Sequence, residues 1–338
     1  MTESGVPIRL WLPLRACSVL GILALAPTCA IADEGGTSVW LPGSFGSLAA
    51  VPQTPGGSLA SIYYHTSLWA GPKVAEARLI TTGEVNPRLT VSFSATLGAS
   101  AELALLVPTY VFATPVLGGQ AAVSVTGIVG SSDAAVMGTL NAVSGTASVT
   151  RSANVSDWVF GSGDLYPQGS LRWNFGAHNA MTYVQADAPV GAYQSTRLSN
   201  LGVGHWAIDG GGGYTYFDPT SGHELSAVLG FTYNFKNNTT NYQNGTDVHL
   251  DWGASQFLDE HLHLGAVGYV YNQITSDNGS GDDVGSFKSR VAGVGPQVGY
   301  IFSLGGHQAY VNLKGYGEFD AMNRPSGWNM WLTFSIQL

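Results

Sequence analysis

The sequence has no cysteine after its first 32 residues, and it contains little charge. Both cysteines, Cys17 and Cys29, precede Asp33, so the chain from Asp33 onward offers no disulfide framework and no thiolate metal site. Charged residues make up 10% of the chain, well below the roughly 25% that is typical of soluble globular proteins. The formal net charge is −9, and without a basic stripe this argues against nucleic-acid binding.

Long apolar runs are also missing after residue 32. No segment approaches the roughly 18 continuous apolar residues that indicate a membrane-spanning helix. The chain nevertheless contains 45 glycines and 11% aromatic residues. A composition with too little charge for a large water-facing surface, and too many interruptions for a helical bundle, is typical of a transmembrane β-barrel.

Residues 1–32 have the pattern of a cleaved secretory signal peptide. Arg9 and Arg15 give a basic start, Cys17 to Leu25 form a short apolar run, and Ala30-Ile31-Ala32 supplies the small-x-small pattern before Asp33. A single membrane anchor is the alternative, but that run is shorter than the roughly 20 residues that a spanning helix needs. We therefore predict export, and location in the outer membrane of a Gram-negative bacterium.

From about Tyr166 onward, apolar residues alternate with small or polar ones, and this period of two predicts β-strands. In the clearest run, one face carries Leu225, Ala227, Leu229, Phe231, Tyr233 and Phe235. In a membrane barrel the apolar face of such a strand meets lipid and the polar face lines the lumen.

The connections alternate between short and long, as short periplasmic turns and longer external loops require. The short ones are predicted near Gly176, at Asp218 to Gly222, near Asp259-Glu260 and at Gly305-Gly306. The long ones are predicted at Ala134 to Gly161 (the longest), Pro189 to Gly202, Asn237 to Gly245, the acidic Ser276 to Gly285, and Asp320 to Gly327.

Strand number depends on the region between Tyr63 and Gly130. Val85 to Ala99 and Leu103 to Phe112 form either two strands or one long strand. A barrel with both termini in the periplasm has an even number of strands, which favours one merged strand. The prediction is an all-β, antiparallel up-and-down transmembrane barrel over residues 58–338, with twelve strands; ten and fourteen are the alternatives.

The C-terminal run from Met330 to Leu338 alternates apolar and polar residues. It resembles the final strand by which outer-membrane proteins are recognised for insertion, although such strands commonly end in an aromatic residue. The partners predicted are therefore outer-membrane lipid and the outer-membrane insertion machinery, with a small apolar solute as a further candidate.

Several stretches together resemble one family, the meta-pathway of phenol degradation proteins of the outer membrane. They are GTSVWLPGSFGSLAAVP at residues 36–52, GDLYPQGSLRWNF at 163–175, HLDWG at 249–253, RVAGVGPQVGY at 290–300 and LKGYGEFDAMNRPSGWNMWLTFSIQL at 313–338. The resemblance spans nearly all of the chain after the signal peptide. It implies an outer-membrane protein linked to aromatic-compound catabolism, with uptake of small hydrophobic or aromatic compounds, and it implies no catalytic residues.

A channel needs polar side chains in the inward register, where they select solutes by charge and hydrogen bonding. With each strand's apolar face turned outward, the predicted lumen-lining residues are Tyr63, His65, Arg172, His249, Asp251, Tyr310, Lys314, Tyr316 and Glu318. Alternatively these groups pair with one another and only fill the interior, as Lys314 and Glu318 would on one strand face.

Two roles are possible for the tryptophan side chains. Trp173 and Trp252 fall in the predicted outward register, which favours an aromatic girdle at the membrane interfaces. A stacking path for aromatic solutes is the alternative, and Trp331, which faces the other way, is left open between the two.

Residues 33–57 precede the first predicted strand and are rich in glycine and proline. Trp40, Phe45 and Leu48 are spaced among them, and such apolar residues are unusual in a flexible tail. The hypothesis is that this periplasmic segment plugs the lumen, with a flexible tail as the alternative.

Catalysis and metal binding have weaker support. His205 with Asp209, and His223 with Glu224, are the pairs that an outer-membrane hydrolase would use, and His261 with His263 supplies only two metal ligands. We predict no catalytic site, no metal and no cofactor. The functional hypothesis is a channel or transporter; a non-conducting structural or interaction barrel is the main alternative, and a hydrolase is a lesser one.

Overall fold

The computed structural model describes residues 39–72, 92–144, 147–280 and 288–338, together with residues 74, 75 and 79. The predicted signal peptide, residues 33–38 of the N-terminal segment, and residues 281–285 of the acidic loop lie outside the described residues. Among the described residues, no helix has the length and apolar character needed to cross a membrane.

The described part of the chain contains fourteen β-strands, twelve of which form one closed antiparallel barrel. The strands are β1 Gly56–Ala70, β2 Ser92–Val111, β3 Gln120–Ser144, β4 Ala147–Phe175, β5 His178–Asp187, β6 Ala207–Asp218, β7 His223–Asn234, β8 Tyr242–Gln243, β9 Asp247–Phe257, β10 Leu262–Gln273, β11 Asn278–Gly279, β12 Arg290–Leu304, β13 His307–Met322 and β14 Ser326–Gln337. The two-residue strands β8 and β11 pair with each other outside the barrel.

Barrel closure comes from the pairing of β1 with β14, which runs from Ser58 opposite Gln337 to Trp69 opposite Ser326. Every other barrel strand pairs with its neighbours in chain order, which is the up-and-down topology. Closure leaves no open sheet edge along this ring, so backbone N–H and C=O groups find partners within the wall. The predicted twelve-strand antiparallel barrel is confirmed.

Between the end of β1 and the start of β3, the described residues form one strand, as the predicted even number of strands requires. Residues 92–111 form the single strand β2, which pairs with β1 on one side and with β3 on the other. The predicted short turns at Gly176, residues 219–222, residues 258–261 and Gly305-Gly306 each join two adjacent strands.

The prediction of a long loop from Ala134 to Gly161 is wrong. These residues belong to a β-hairpin in which β3 has 25 residues and β4 has 29. The hairpin is longer than the roughly 9 to 11 residues that cross a bilayer, so much of it projects from the membrane. Outside lipid neither face must be apolar, and the mixed Ser, Ala, Thr and Gly sequence therefore does not show the alternation. The final loop is also shorter than predicted, since β13 extends to Met322 and β14 begins at Ser326.

Side-chain exposure shows which face of each strand points outward. On β7, Leu225, Leu229 and Tyr233 are 45–53% exposed, whereas Ser226 and Thr232 are buried. A soluble barrel places its apolar side chains inside, so this reversed arrangement is that of a barrel surrounded by lipid.

Exposed aromatic residues gather towards the two ends of the barrel wall. Those towards the periplasmic turns include Tyr110, Phe112, Phe175, Tyr214 and Tyr300, and those towards the external loops include Trp69, Trp206, Tyr233, Phe235, Phe319 and Trp328. This distribution is that of the aromatic girdles at the two membrane interfaces.

The two tryptophans predicted as girdle residues lie at different heights. Trp173 is two residues from the end of β4, and its Nε1 donates to the carbonyl of Leu117 at 3.2 Å, which suits a girdle. Trp252 is the sixth of eleven residues in β9, halfway up the wall, so the girdle prediction does not fit it. Its ring lies against Gly268, where an added Cβ would be 2.5 Å away; the missing side chain leaves a slot for the indole.

One periplasmic turn shows how the hairpin ends are fixed. The backbone amides of Leu262 and His261 each donate to Asp259 Oδ1 at 2.7 Å. These hydrogen bonds favour the charged carboxylate and lower the pKa of Asp259.

Because outward side chains face lipid, the free-energy cost of placing a charge there should depend on its depth in the membrane. Leu229→Arg places a charge on the lipid face at mid-strand and is expected to reduce the free energy of unfolding in lipid vesicles by about 2–4 kcal/mol. Phe235→Arg, on the same face but just beyond the external end of β7, is the matched control and is expected to cost about 0–1 kcal/mol. Urea titration in vesicles measures both, and equal costs would contradict the assigned membrane position.

Candidate functional site

The chain that precedes β1 lies inside the barrel. We call residues 39–55 the lumen segment. Its backbone amides at Leu48 and Ala50 donate to Glu224 Oε1 at 2.8 Å and to Thr215 Oγ1 at 3.1 Å. Both acceptors are inward-facing side chains of the wall, on β7 and β6. The segment is therefore bound across the lumen rather than extended into the periplasm.

Trp40 occupies a pocket formed by aromatic rings of β9 and β10. Its indole stacks on His249, with ring centroids 4.7 Å apart, and lies parallel to Tyr271 at 6.0 Å. Tyr269 meets it edge-on at 5.6 Å. The indole Nε1 donates to Asp251 Oδ2 at 3.1 Å, so both the apolar and the polar parts of the side chain are bound. We call these four wall residues the Trp40 pocket.

A second set of contacts comes from β13 and β14, which lie further round the barrel wall. Lys314 Nζ donates to the carbonyls of Gly43 at 2.8 Å and Phe45 at 3.2 Å. Trp331 Nε1 donates to the carbonyl of Pro42 at 3.1 Å. Hydrogen bonds from a charged group contribute about 1.5–3 kcal/mol each, so Lys314 is a principal anchor of the segment.

The fit of the segment depends on glycines at two close approaches. Gly43 has φ +86°, and an added Cβ would lie 2.7 Å from Cε2 of Tyr316. On the wall, a Cβ at Gly253 would lie 2.7 Å from the backbone nitrogen of Ser47. Segment and wall thus approach each other more closely than any side chain would allow.

Phe45 and Leu48 are also placed against the wall. The ring of Phe45 lies 5.1 Å from that of Tyr183 on β5. Leu48 adopts a left-handed backbone conformation, φ 64°, and it borders a cavity on the periplasmic side of the segment. All three apolar residues singled out in the sequence therefore contact the lumen.

Most predicted lumen-lining residues do face inward. Their positions are fixed by contacts with the segment, with one another or with the cavities: Arg172, His249, Asp251, Tyr310, Lys314, Tyr316 and Glu318.

The prediction for Tyr63 and His65 is wrong, because both lie on the outward face of β1. Tyr63 is 41% exposed and its hydroxyl donates to Glu102. His65 Nδ1 lies 2.6 Å from Glu102 Oε1, and its ring lies 4.5 Å from that of Trp328. The inward register of β1 carries Ile62 and Tyr64 instead, so both faces of this strand contain apolar residues. Polarity alone therefore does not distinguish its two faces.

Inward polar groups mostly bind each other or the segment. His249 lies between two carboxylates, with Nε2 3.0 Å from Asp209 Oδ2 and Nδ1 3.3 Å from Asp251 Oδ2. Lys314 and Glu318, suggested as a pair, have separate partners: Glu318 accepts hydrogen bonds from Tyr269 at 2.7 Å and from the amide of Gly327 at 2.9 Å. These interior charges therefore belong to hydrogen-bond networks that cross several strands.

His205 and Asp209, named above as a possible hydrolase pair, each contact other groups. Asp209 accepts from Tyr183 and Thr232 at 2.6 Å each, besides contacting His249. His205 Nδ1 lies 3.0 Å from the carbonyl of Trp206. Asp209 was not among the predicted lumen-lining residues. The glycines at 210–213 hide the alternation of apolar and polar residues along β6.

The lumen contains two cavities, separated by the segment. The upper cavity, towards the external loops, has a volume of about 270 Å³. The lower cavity, towards the periplasm, has a volume of about 1110 Å³ and a mixed wall whose polar groups include Arg172, Tyr310 and Gln337.

The upper cavity has an apolar wall and a cover. Leu97, Leu103 and Ile128 line it from β2 and β3, and Trp40 borders it from the segment. The loop between β5 and β6 folds over it and contributes Leu198 and Leu201. That loop is tied to β4, because Asp164 accepts from the amides of residues 191 and 203 at 2.7 Å each. The result is a partly covered, mainly apolar site with room for at least one aromatic ring.

Comparison with known proteins bears on both fold and family. The model of the family described as "Putative MetA-pathway of phenol degradation" matches residues 83–334. No curated protein sequence matches the chain. An outer membrane channel from Pseudomonas putida F1 has a similar structure, with a TM-score of 0.62, 13% sequence identity, and coverage of 84% of this chain and 97% of that chain. The chain therefore has the fold of an outer-membrane β-barrel.

Two other solved barrels are less similar. The transport unit of the autotransporter AIDA-I from Escherichia coli has a TM-score of 0.41 and 7% identity, covering 85% of this chain and 91% of that chain. A FadL homologue from Pseudomonas aeruginosa has a TM-score of 0.36 and 9% identity, covering 83% of this chain and 89% of that chain.

The close approach at Gly43 predicts that Gly43→Ala loosens the lumen segment. A left-handed backbone costs a residue with a Cβ about 1–2 kcal/mol, and the contact with Tyr316 adds to this. Amide hydrogen exchange across residues 40–53 should accelerate by about 5- to 30-fold, the factor that 1–2 kcal/mol represents. Gly57→Ala is the control, since its Cβ would have no neighbour nearer than 3.8 Å. Unchanged exchange in Gly43→Ala would show that the segment is not held at this point.

Proposed function

We propose, since this chain belongs to the family described as "Putative MetA-pathway of phenol degradation", that it is an outer-membrane channel for small aromatic compounds. In this proposal the barrel carries solutes and catalyses no reaction. The lumen segment acts as a plug that a solute must pass or displace.

The upper cavity is the observation that carries the proposal. An apolar cavity of about 150 Å³ is enough to hold benzene, and the upper cavity has about 270 Å³. Its lining is mainly aliphatic and aromatic, with a few polar groups such as Glu318 and Arg324. Small-molecule sites have this combination of apolar surface and sparse polar groups.

A route across the membrane follows from the order of the two cavities. A solute would enter the upper cavity from the external side, pass the lumen segment and reach the larger lower cavity. The last part of the route is wide enough for water, so a weakly bound solute would leave it readily towards the periplasm.

The predicted partners belong to the same proposal. The outward apolar face and its aromatic girdles suit outer-membrane lipid, and we expect β14, the C-terminal strand, to be the element that the insertion machinery recognises. The cleaved signal peptide remains a prediction from residues 1–32.

A non-conducting structural barrel is the second candidate, and the bound lumen segment favours it. Twelve strands are intermediate between small barrels filled by side chains and large barrels with aqueous channels. If the segment never moves, its contacts with Trp331, Lys314 and Glu224 make the barrel a closed scaffold.

Solute flux separates these candidates. Purified protein in liposomes is expected to admit phenol faster than protein-free liposomes do. Deleting residues 39–53 should raise the conductance to small ions by roughly tenfold, because it replaces a bound plug with an open lumen. The Trp158→Ala variant, altered at an outward side chain that is 68% exposed, is the control and should match the wild type.

Two results would count against the channel. Phenol entry no faster than in protein-free liposomes, for both the wild type and the deletion variant, would leave the structural barrel as the function. A deletion variant that folds but conducts no better than the wild type would show that the segment is not the barrier.

A further inference from the structure

We infer that the Trp40 pocket is a binding site for small planar aromatic molecules that carry one hydrogen-bond donor, and that such a solute takes the place of the Trp40 side chain. Phenols and indole have this chemistry. The inference rests on the proposed channel function, which it deepens by naming both the site and the class of solute that releases the plug.

The pocket has the shape of a flat ring. His249 and Tyr271 present their faces to Trp40, with interplanar angles of 17° and 2°. Tyr269 closes one side with its edge, at an interplanar angle of 77°. Stacked and edge-to-face contacts each stabilise an aromatic pair, and these rings belong to the wall. They would therefore remain in place for any other ring that entered.

The pocket also has a built acceptor. Asp251 is 1% exposed, and its Oδ2 accepts the indole N–H of Trp40 at 3.1 Å. The other oxygen, Oδ1, is buried and accepts no hydrogen bond in the described structure. A phenolic O–H could replace the indole N–H as donor, so that no buried acceptor loses its partner during the exchange.

A solute can reach this point from the outside. Trp40 forms part of the lining of the upper cavity, together with Tyr64, Tyr166 and Leu103. A ring held in that cavity would lie against the indole before exchange. Once Trp40 is displaced, residues 41–53 keep their hydrogen bonds to Lys314 and Trp331 but lose the anchor at the external end. The solute therefore competes directly with one end of the plug.

Chain connectivity favours Trp40 over a free solute, because the tethered side chain has a high effective concentration. Binding to the wild type should accordingly be weak, and removing the indole should reveal the site. Trp40→Ala is the informative variant, and 4-fluorophenol is a suitable probe because it combines a flat ring with one donor.

The experiment is a ¹⁹F NMR titration of 4-fluorophenol into the full mature chain in lipid nanodiscs. Trp40→Ala is expected to bind the probe saturably and at least tenfold more tightly than the wild type. Adding Asp251→Asn to Trp40→Ala should weaken binding by about tenfold, as expected for loss of a hydrogen bond to a charged group. Fluorobenzene, which has the ring but no donor, should bind Trp40→Ala about as weakly as 4-fluorophenol binds the double variant.

Trp158→Ala is the matched control, since it removes an indole from the outer face and should behave as the wild type. Folding of each variant is checked by heat-modifiable migration on gels. If Trp40→Ala does not fold, Trp40→Leu keeps an apolar side chain there and takes its place in the titration.

Equal probe binding by the wild type and the folded Trp40 variant would overturn the inference. Probe binding that Asp251→Asn does not weaken would also overturn it. Because the titration measures binding alone, its outcome is separate from that of the flux experiment. Saturable binding without phenol flux would keep the site and remove the channel, whereas flux without saturable binding would remove the site.

Discussion

Buried polar side chains on one half of the inner wall need hydrogen-bond partners, and this requirement explains how the lumen is filled. Glu224, Thr215 and Asp251 face inward from strands whose outer faces are apolar. In a narrow barrel such groups cost free energy unless they are paired. The lumen segment supplies backbone amides and an indole N–H to these acceptors, and it accepts from Lys314 in return. The segment thus completes a hydrogen-bond network that the strands leave unfinished.

The same requirement divides the lumen into two unlike sides. Strands β6 to β13 carry the polar network and bind the segment, whereas β1 to β3 present Ile62, Leu103 and Ile128 to the interior. The apolar side chains of these strands offer the segment no acceptors, and the space beside them is left as the upper cavity. Near the periplasmic end, Gln120 of β3 is instead hydrogen-bonded to Gln53 of the segment. The position of that cavity therefore follows from which strands are polar inside. The proposed solute, mainly apolar with one hydrogen-bond donor, would fit the boundary between an apolar and a polar wall.

The sequence predicts the strands well where their outer faces contact lipid. Lipid demands an apolar outer register, so the alternation on β7 identifies a strand and its faces, and the family predicted from the quoted motifs is confirmed. Residues 134–161 were misassigned because they lie largely beyond the membrane, where that demand ends. Tyr63 and His65 were misassigned because Glu102, on a neighbouring strand, pairs with them on the outside. That pairing depends on the register between two strands, which alternation within one strand does not contain.

The lumen site was only half predictable for a related reason. Trp40, Phe45 and Leu48 stand out as apolar residues in a stretch that forms no strand, so a bound segment could be expected. Their partners could not, because the height at which His249 or Tyr271 reaches the lumen depends on the stagger of all twelve strands. Asp209 was considered only as a hydrolase residue and was missed as a lumen-lining residue, although its inward position follows once β6 is paired with β7.

The separation along the chain between the segment and its partners has a consequence for assembly. Trp331 lies 289 residues from Pro42, whose carbonyl it binds, and it belongs to the strand that closes the ring against β1. Contacts between such distant residues form late, since loop-closure entropy opposes them until intervening structure exists. Because the lumen segment continues directly into β1, the sealing of the ring and the filling of its interior involve the same two strands. The barrel is therefore expected to close around its own N-terminal chain, so that the occupied lumen is a product of folding. Release of the segment from the lumen would then reverse part of that last step.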